Sequence, residues 1–214
     1  MNLNREGGPI VNELKRHAPF TFFGALTGIV IMAVFYRIPY RAAYDIFYTL
    51  HPMHVFLSAL VTASMYEKYR SETGRKWYKL ASLVVIGITG SVGVATLSDS
   101  VMPYLGELLL GMPHAEPHIG FIEKWWLIFP LAVAGIVVAY FWPRTRFPHA
   151  GHVLISTWAS LFHIIMAEGK TLSLFLCVAV LFFLFFAVWI PCCISDIVFP
   201  LLFVDRKNRP HFHT

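Results

Sequence analysis

Six apolar stretches leave this chain few ways to fold. They run near 20–36, 50–66, 80–101, 125–142 and 152–166, with a long last one within 172–204. A helix that crosses a bilayer needs about 20 mostly apolar residues. Inside hydrocarbon it must satisfy its own backbone hydrogen bonds, which a helix does. The second and fifth stretches are short and carry histidines, so hydropathy alone marks them least firmly. Composition agrees: the chain is 57% hydrophobic and only 14% charged, against about 25% charged in a soluble domain. The sequence therefore predicts an all-α, polytopic membrane protein of six transmembrane helices, with the lipid bilayer as its first partner.

Charge placement gives the expected orientation. The net charge of +5 and pI near 9.2 resemble a nucleic-acid signal, yet the basic residues fall where a topology bias would put them. With the N-terminus inside, Arg5, Lys15, Arg16, Lys68, Arg70, Arg75, Lys76, Lys79, Arg144, Arg146, Arg206, Lys207 and Arg209 are internal. Only Arg37, Arg41, Lys124 and Lys170 are external. This is the positive-inside pattern, with both termini cytoplasmic and an inner or plasma membrane as the location. No nucleic-acid partner is implied. The N-terminal "MNLNREGGPIVNELKRH" is too long and polar for the start of a cleaved signal peptide, and reads as a retained tail. Cys177, Cys192 and Cys193 lie in apolar sequence and form no disulfide framework.

The chain also matches itself. "HPMHVFLSALV" from His51 is echoed by "HAGHVLISTWA" from His149, so that His51, His54, Val55 and Ser58 align with His149, His152, Val153 and Ser156. "SDSVMPYL" is echoed by "SDIVFPLL", aligning Ser98, Asp99, Val101 and Pro103 with Ser195, Asp196, Val198 and Pro200. Shared leucine and valine would mean little among apolar helices. Shared His, His, Ser, Ser, Asp and Pro in one order point to a 3+3 repeat. With three spans per half the second half runs inverted, an architecture that places functional sites at the interface between halves. The expected organisation is a cytoplasmic tail over 1–17, a three-helix repeat over 18–110, an outer histidine-containing loop over 111–124, a second repeat over 125–204 and a cytoplasmic tail over 205–214.

Ionisable groups within spans are costly and mark functional pathways by default. Histidines at i and i+3 share a helix face. The repeat topology gathers His51, His54 and Asp99 towards the outer side, and His149, His152 and Asp196 towards the inner side. Two imidazoles with a carboxylate suit a divalent transition metal such as Zn, Fe or Mn. Ser58, Ser98, Ser156 and Ser195 would line a path between the two sets. Pro103 and Pro200 follow the aspartates by four residues and lack an N–H, which predicts freed main-chain oxygens at Asp99 and Asp196. The competing reading is that these polar groups only hold helices together.

His163 could join the outer cluster or be a lone buried histidine. Cys192 and Cys193 read as core thiols or as softer ligands at the inner site. The loop "GMPHAEPHIGFIEKWW", with His114, Glu116, His118 and Glu123, either gathers a metal ion or caps the bundle. His211 and His213 form a weak terminal pair. Three functions stay open. One is a divalent metal transporter or channel, with proton coupling natural because histidines titrate near neutral pH. Another is an intramembrane metalloenzyme or redox protein, in which His54 and His163 would be axial ligands of a b-type haem. The third is a structural subunit of a membrane complex. A homo-oligomer is compatible with each.

Overall fold

The computed structural model describes residues 7–70, 75–143, 146–168, 173–193 and 198–204, without the side chains of 7–17, 146–150 and 193. Ser195, Asp196, His211 and His213 lie outside the described residues, as does the side chain of His149. Among the described residues the fold is wholly helical. The helices are α1 (Gly7–Phe35), α2 (Tyr40–Tyr69), α3 (Lys76–Thr96), α4 (Met102–Leu109), α5 (Gly120–Glu123), α6 (Trp125–Phe141), α7 (Arg146–Ala167), α8 (Leu174–Cys193) and α9 (Phe199–Leu202). A π-helical turn, Leu97–Val101, joins α3 to α4 without a break.

Four helices are long and apolar enough to cross a membrane: Ala18–Phe35, Tyr40–Tyr69, Lys76–Leu109 and Leu174–Cys192. Two shorter apolar helices, Trp125–Phe141 and Gly151–Ala167, accompany them. The distribution of side chains suits lipid. Phe20, Phe23, Val30, Val34, Val85, Phe182 and Phe186 face outwards, while His51, His54, Ser58, Asp99, Ser156, Ser160 and His163 are buried. A water-soluble domain would place them the other way round.

The central helix is α2, which packs along α7, α6 and α3. Small residues permit the close approaches. A Cβ on Gly135 of α6 would collide with the Phe56 main-chain oxygen of α2, so only glycine allows the two backbones to meet there. On the other flank, α1 packs against α7 and α8. One apolar core lies between α1, α2, α7 and α8, around Met32, Phe47, Leu161, Ile164 and Leu184. A second lies between α2, α3 and α6, around Val55, Leu83, Ile128 and Ile136.

Two boundaries differ from the hydropathy reading, and both move functional residues. Helix α2 begins at Tyr40, ten residues before the apolar stretch, because Arg41 and Asp45 lower hydropathy without breaking a helix. His54 is therefore about 21 Å along a 30-residue helix at 1.5 Å per residue, near its middle. The second difference is the π turn. Met102 N–H bonds to Leu97 O, five residues back. The donor missing at Pro103 is thus lost to Ser98 O, and Ser160 Oγ supplies a hydrogen bond there at 3.0 Å. The expected free oxygen of Asp99 is displaced by one residue.

At the end of α4, Gly111 takes a left-handed backbone (φ 63°) and Met112 N–H returns to Glu107 O at 2.9 Å, a helix stop that favours glycine. The segment after it folds over the bundle. His114 N–H bonds to Ala167 O at the end of α7, and the His118 ring meets Tyr40 Oη at 3.1 Å. Gly120 lies directly on the His51 ring, where a Cβ would overlap Nε2.

Candidate metal centre

His51 and His54 project from one face of α2 onto Asp99, held in the π turn between α3 and α4. The Nδ1 atoms of both rings approach the same carboxylate oxygen, Oδ2, at 3.0 and 2.7 Å. The other oxygen, Oδ1, accepts from Ser98 Oγ and from Ser156 Oγ, each at 2.7 Å. Ser156 comes from α7 and also lies 3.2 Å from Ser98 Oγ. All five residues are buried. A carboxylate has about four acceptor positions, and here four donors take them.

That saturation changes the role open to Asp99. It has no oxygen left to offer an ion, but it fixes both imidazoles as Nδ1–H donors. Each ring then keeps its lone pair on Nε2, the form in which histidine binds metals when a carboxylate holds its other nitrogen. The two Nε2 atoms diverge. That of His51 lies under Gly120, with the ring stacked on Phe47 at 5.3 Å between centroids. That of His54 has no hydrogen-bond partner among the described residues, and its ring stacks on His152 at 5.5 Å with 14° between planes.

His152 belongs to α7 and Cys192 to α8. One ligand atom each from His54, His152 and Cys192 lie within 4.8 Å of one another, all in buried residues. Cys192 Sγ is also 3.9 Å from Ser156 Oγ. This group of two imidazoles and a thiol could hold a metal ion. Donor atoms around a tetrahedral zinc lie roughly 3.5 Å apart, so binding would draw the three together slightly.

The structure thus distributes the sequence-derived candidates differently from two clusters on opposite membrane sides. His51, His54 and Asp99 meet, and His152 stands against His54 instead of apart from it. The reason is the longer α2, which lowers His54 to mid-helix, level with the seventh residue of α7. Among the path serines, Ser98 and Ser156 join the Asp99 network, and Ser58 is buried on α2. Cys192, only one of two readings in the sequence, is placed with the ligands.

A second buried set lies towards the loop. His163 Nδ1 is 2.6 Å from Glu107 Oε1, and its Nε2 accepts the His118 main-chain N–H at 3.3 Å. With both nitrogens engaged, His163 presents no lone pair to a haem iron, and nothing in this geometry supports the His54–His163 axial pair. The loop residues cap the bundle. His118 Nδ1 and Glu123 Oε1 are 3.3 Å apart, Tyr44 Oη donates to Glu123 Oε2 at 3.2 Å, and Lys124 lies over the Tyr44, Tyr48 and Trp126 rings. Glu107 escaped notice in the sequence because it follows the apolar run as a single acid in "YLGELLLG". A lone carboxylate inside a spanning helix is itself the signal that marks it.

Compared with known protein families, curated proteins and solved structures, the chain has no match in any of the three.

Proposed function

We propose that the chain is a multi-pass protein of the inner or plasma membrane that binds a divalent transition metal at the contact between its two halves and carries it across the bilayer. The convergence of His54, His152 and Cys192 on one another, from three helices and in buried positions, carries this reading. Transporters built from inverted repeats place their sites near the midplane at the repeat interface. His54 and His152 are equivalent residues of the two sequence repeats, and they meet face to face.

The packing supports the repeat. Exchanging α1 with α6, α2 with α7 and α3 with α8 turns the α1–α8 contact into α6–α3, α2–α6 into α7–α1 and α2–α3 into α7–α8, all of which occur. The short helices α4 and α9, each opening on a proline, correspond in the same way. Six spans with both termini cytoplasmic complete the topology, on the strength of the charge bias. Polar groups lie on both sides of the Phe47 ring, Asp99 and His51 on the metal-centre side and His163, Glu107 and His118 on the loop side. A path towards the loop end would need the Phe47 ring to move aside. A histidine–histidine–thiolate set favours zinc over iron, and least suits manganese, which prefers oxygen ligands.

Elemental analysis of protein purified in mild detergent tests the binding, and metal uptake into proteoliposomes tests the transport. The wild type should hold about one zinc per chain and admit it. His54→Ala with His152→Ala should do neither while remaining folded. Metal-free wild type with no uptake would sink the reading.

A further inference from the structure

Among the described residues two carboxylates are fully buried, in very different company. Asp99 accepts from four donors, namely His51, His54, Ser98 and Ser156. Glu107 is just as inaccessible, yet it accepts from a single side chain, His163, at 2.6 Å. Its Oε2 has no partner among the described residues.

The hydrogen bonds around His163 determine what that ring can contribute. Its Nε2 accepts the His118 main-chain N–H, so the ring proton sits on Nδ1 and points at Glu107 Oε1. An imidazole with one N–H is neutral and brings no positive charge. No lysine or arginine among the described residues contacts Glu107. The titratable groups facing the pair are the His118 ring, 5.4 Å from His163 between centroids, and behind it Glu123, Tyr40 and Tyr44. Lys124 is directed to aromatic rings instead. Helix α2 presents Phe47 to His163, and α8 presents Phe183 beside Gly106. A bare carboxylate left in such a place would be buried without a counter-charge, which is costly, and a proton on Oε2 removes that charge.

We infer that Glu107 is a cation site whose occupant is a proton on Oε2, set apart from the metal centre. The proton exchanges with water, and only the O–H bond forms and breaks. Asp99 meets four donors, whereas Glu107 Oε2 meets none among the described residues. Use of this proton to couple metal movement rests on the transport reading above. Its presence on Glu107 does not.

Infrared spectra of the purified protein in lipid nanodiscs, in H2O and in D2O, test the site directly. The wild type should show a carboxylic-acid carbonyl band that shifts downwards in D2O. That band should persist in Asp99→Asn, vanish in Glu107→Gln and move in His163→Gln. No such band in the wild type, or one that survives in Glu107→Gln, overturns the assignment. Metal content read on the same samples separates the two proposals: Glu107→Gln should retain the wild-type content, and loss of metal from it would make the two sites one. In proteoliposomes an imposed pH gradient should alter wild-type uptake and leave Glu107→Gln indifferent. An equal response in both, or none in the wild type, overturns the coupling.

Discussion

His54 and His152 stack nearly parallel across the contact between α2 and α7, with 5.5 Å between ring centroids. Each is the second histidine of its H-x-x-H, so the same position of two segments alike in sequence meets itself. One ring is anchored through Nδ1 to Asp99. Cys192 from α8 lies close to both. The thiol is the element that distinguishes this group from a simple histidine pair, and it offers a spectroscopic handle.

Cobalt substituted for zinc should show a near-ultraviolet thiolate-to-metal band in the wild type. Cys192→Ser should lose the band and bind more weakly, whereas Cys177→Ser, at a half-buried position of α8, should keep it. An unchanged band in Cys192→Ser would remove the cysteine from the site.

Asp99 should matter through the histidines it holds. Asp99→Asn keeps the shape but cannot accept from both rings and both hydroxyls, and a 10- to 100-fold loss of metal affinity is expected, roughly the effect of other outer-shell changes. Asp99→Ala strands four buried donors and should destabilise the fold by about 1–3 kcal/mol for each that finds no new partner, measured by thermal unfolding in detergent. Asparagine binding metal as tightly as the wild type would contradict this role.

Gly120 is a point of contact and Gly93 is not. A methyl group at Gly120 would overlap His51 Nε2, whereas at Gly93 it would meet nothing within 4 Å. Gly120→Ala should cost about 1–3 kcal/mol through overpacking. Gly93→Ala, on an open helical surface, should gain roughly 0.5–1 kcal/mol. Equal effects in unfolding experiments would mean that the loop does not rest on His51.

Topology can be read by labelling. A cysteine at exposed Glu116, in a Cys177→Ser background, should react with a membrane-impermeant maleimide added to intact cells. Reaction only after lysis would reverse the proposed orientation.

Much of this arrangement was legible in the residues. Apolar runs of span length predict helices, and the helices are there. The pairing of His51 and His54 with Asp99 was expected from the two motifs, and the three side chains do touch. Depth was not legible. Hydropathy places the start of α2 at residue 50, because Arg41, Asp45 and three tyrosines look like a boundary although they continue the helix. That error put the histidines near a membrane face and separated His54 from His152. Glu107 was missed for a related reason: one acid near the end of an apolar run looks like the edge of a loop, and only its contact with His163 shows it is buried.

The π turn Leu97–Val101 makes the third helix a ratchet with one tooth too many. Each residue added to or taken from a helix rotates everything beyond it by about 100°, and this turn holds one residue more than α-helical winding needs. Asp99 sits in the surplus turn and Glu107 lies beyond it. Rewinding these five residues as ordinary α-helix, with none removed, would turn everything beyond by about 100° and swing Glu107 off His163 while α3 stayed in place. The spare residue is what lets one continuous helix aim two acids at two different histidine partners.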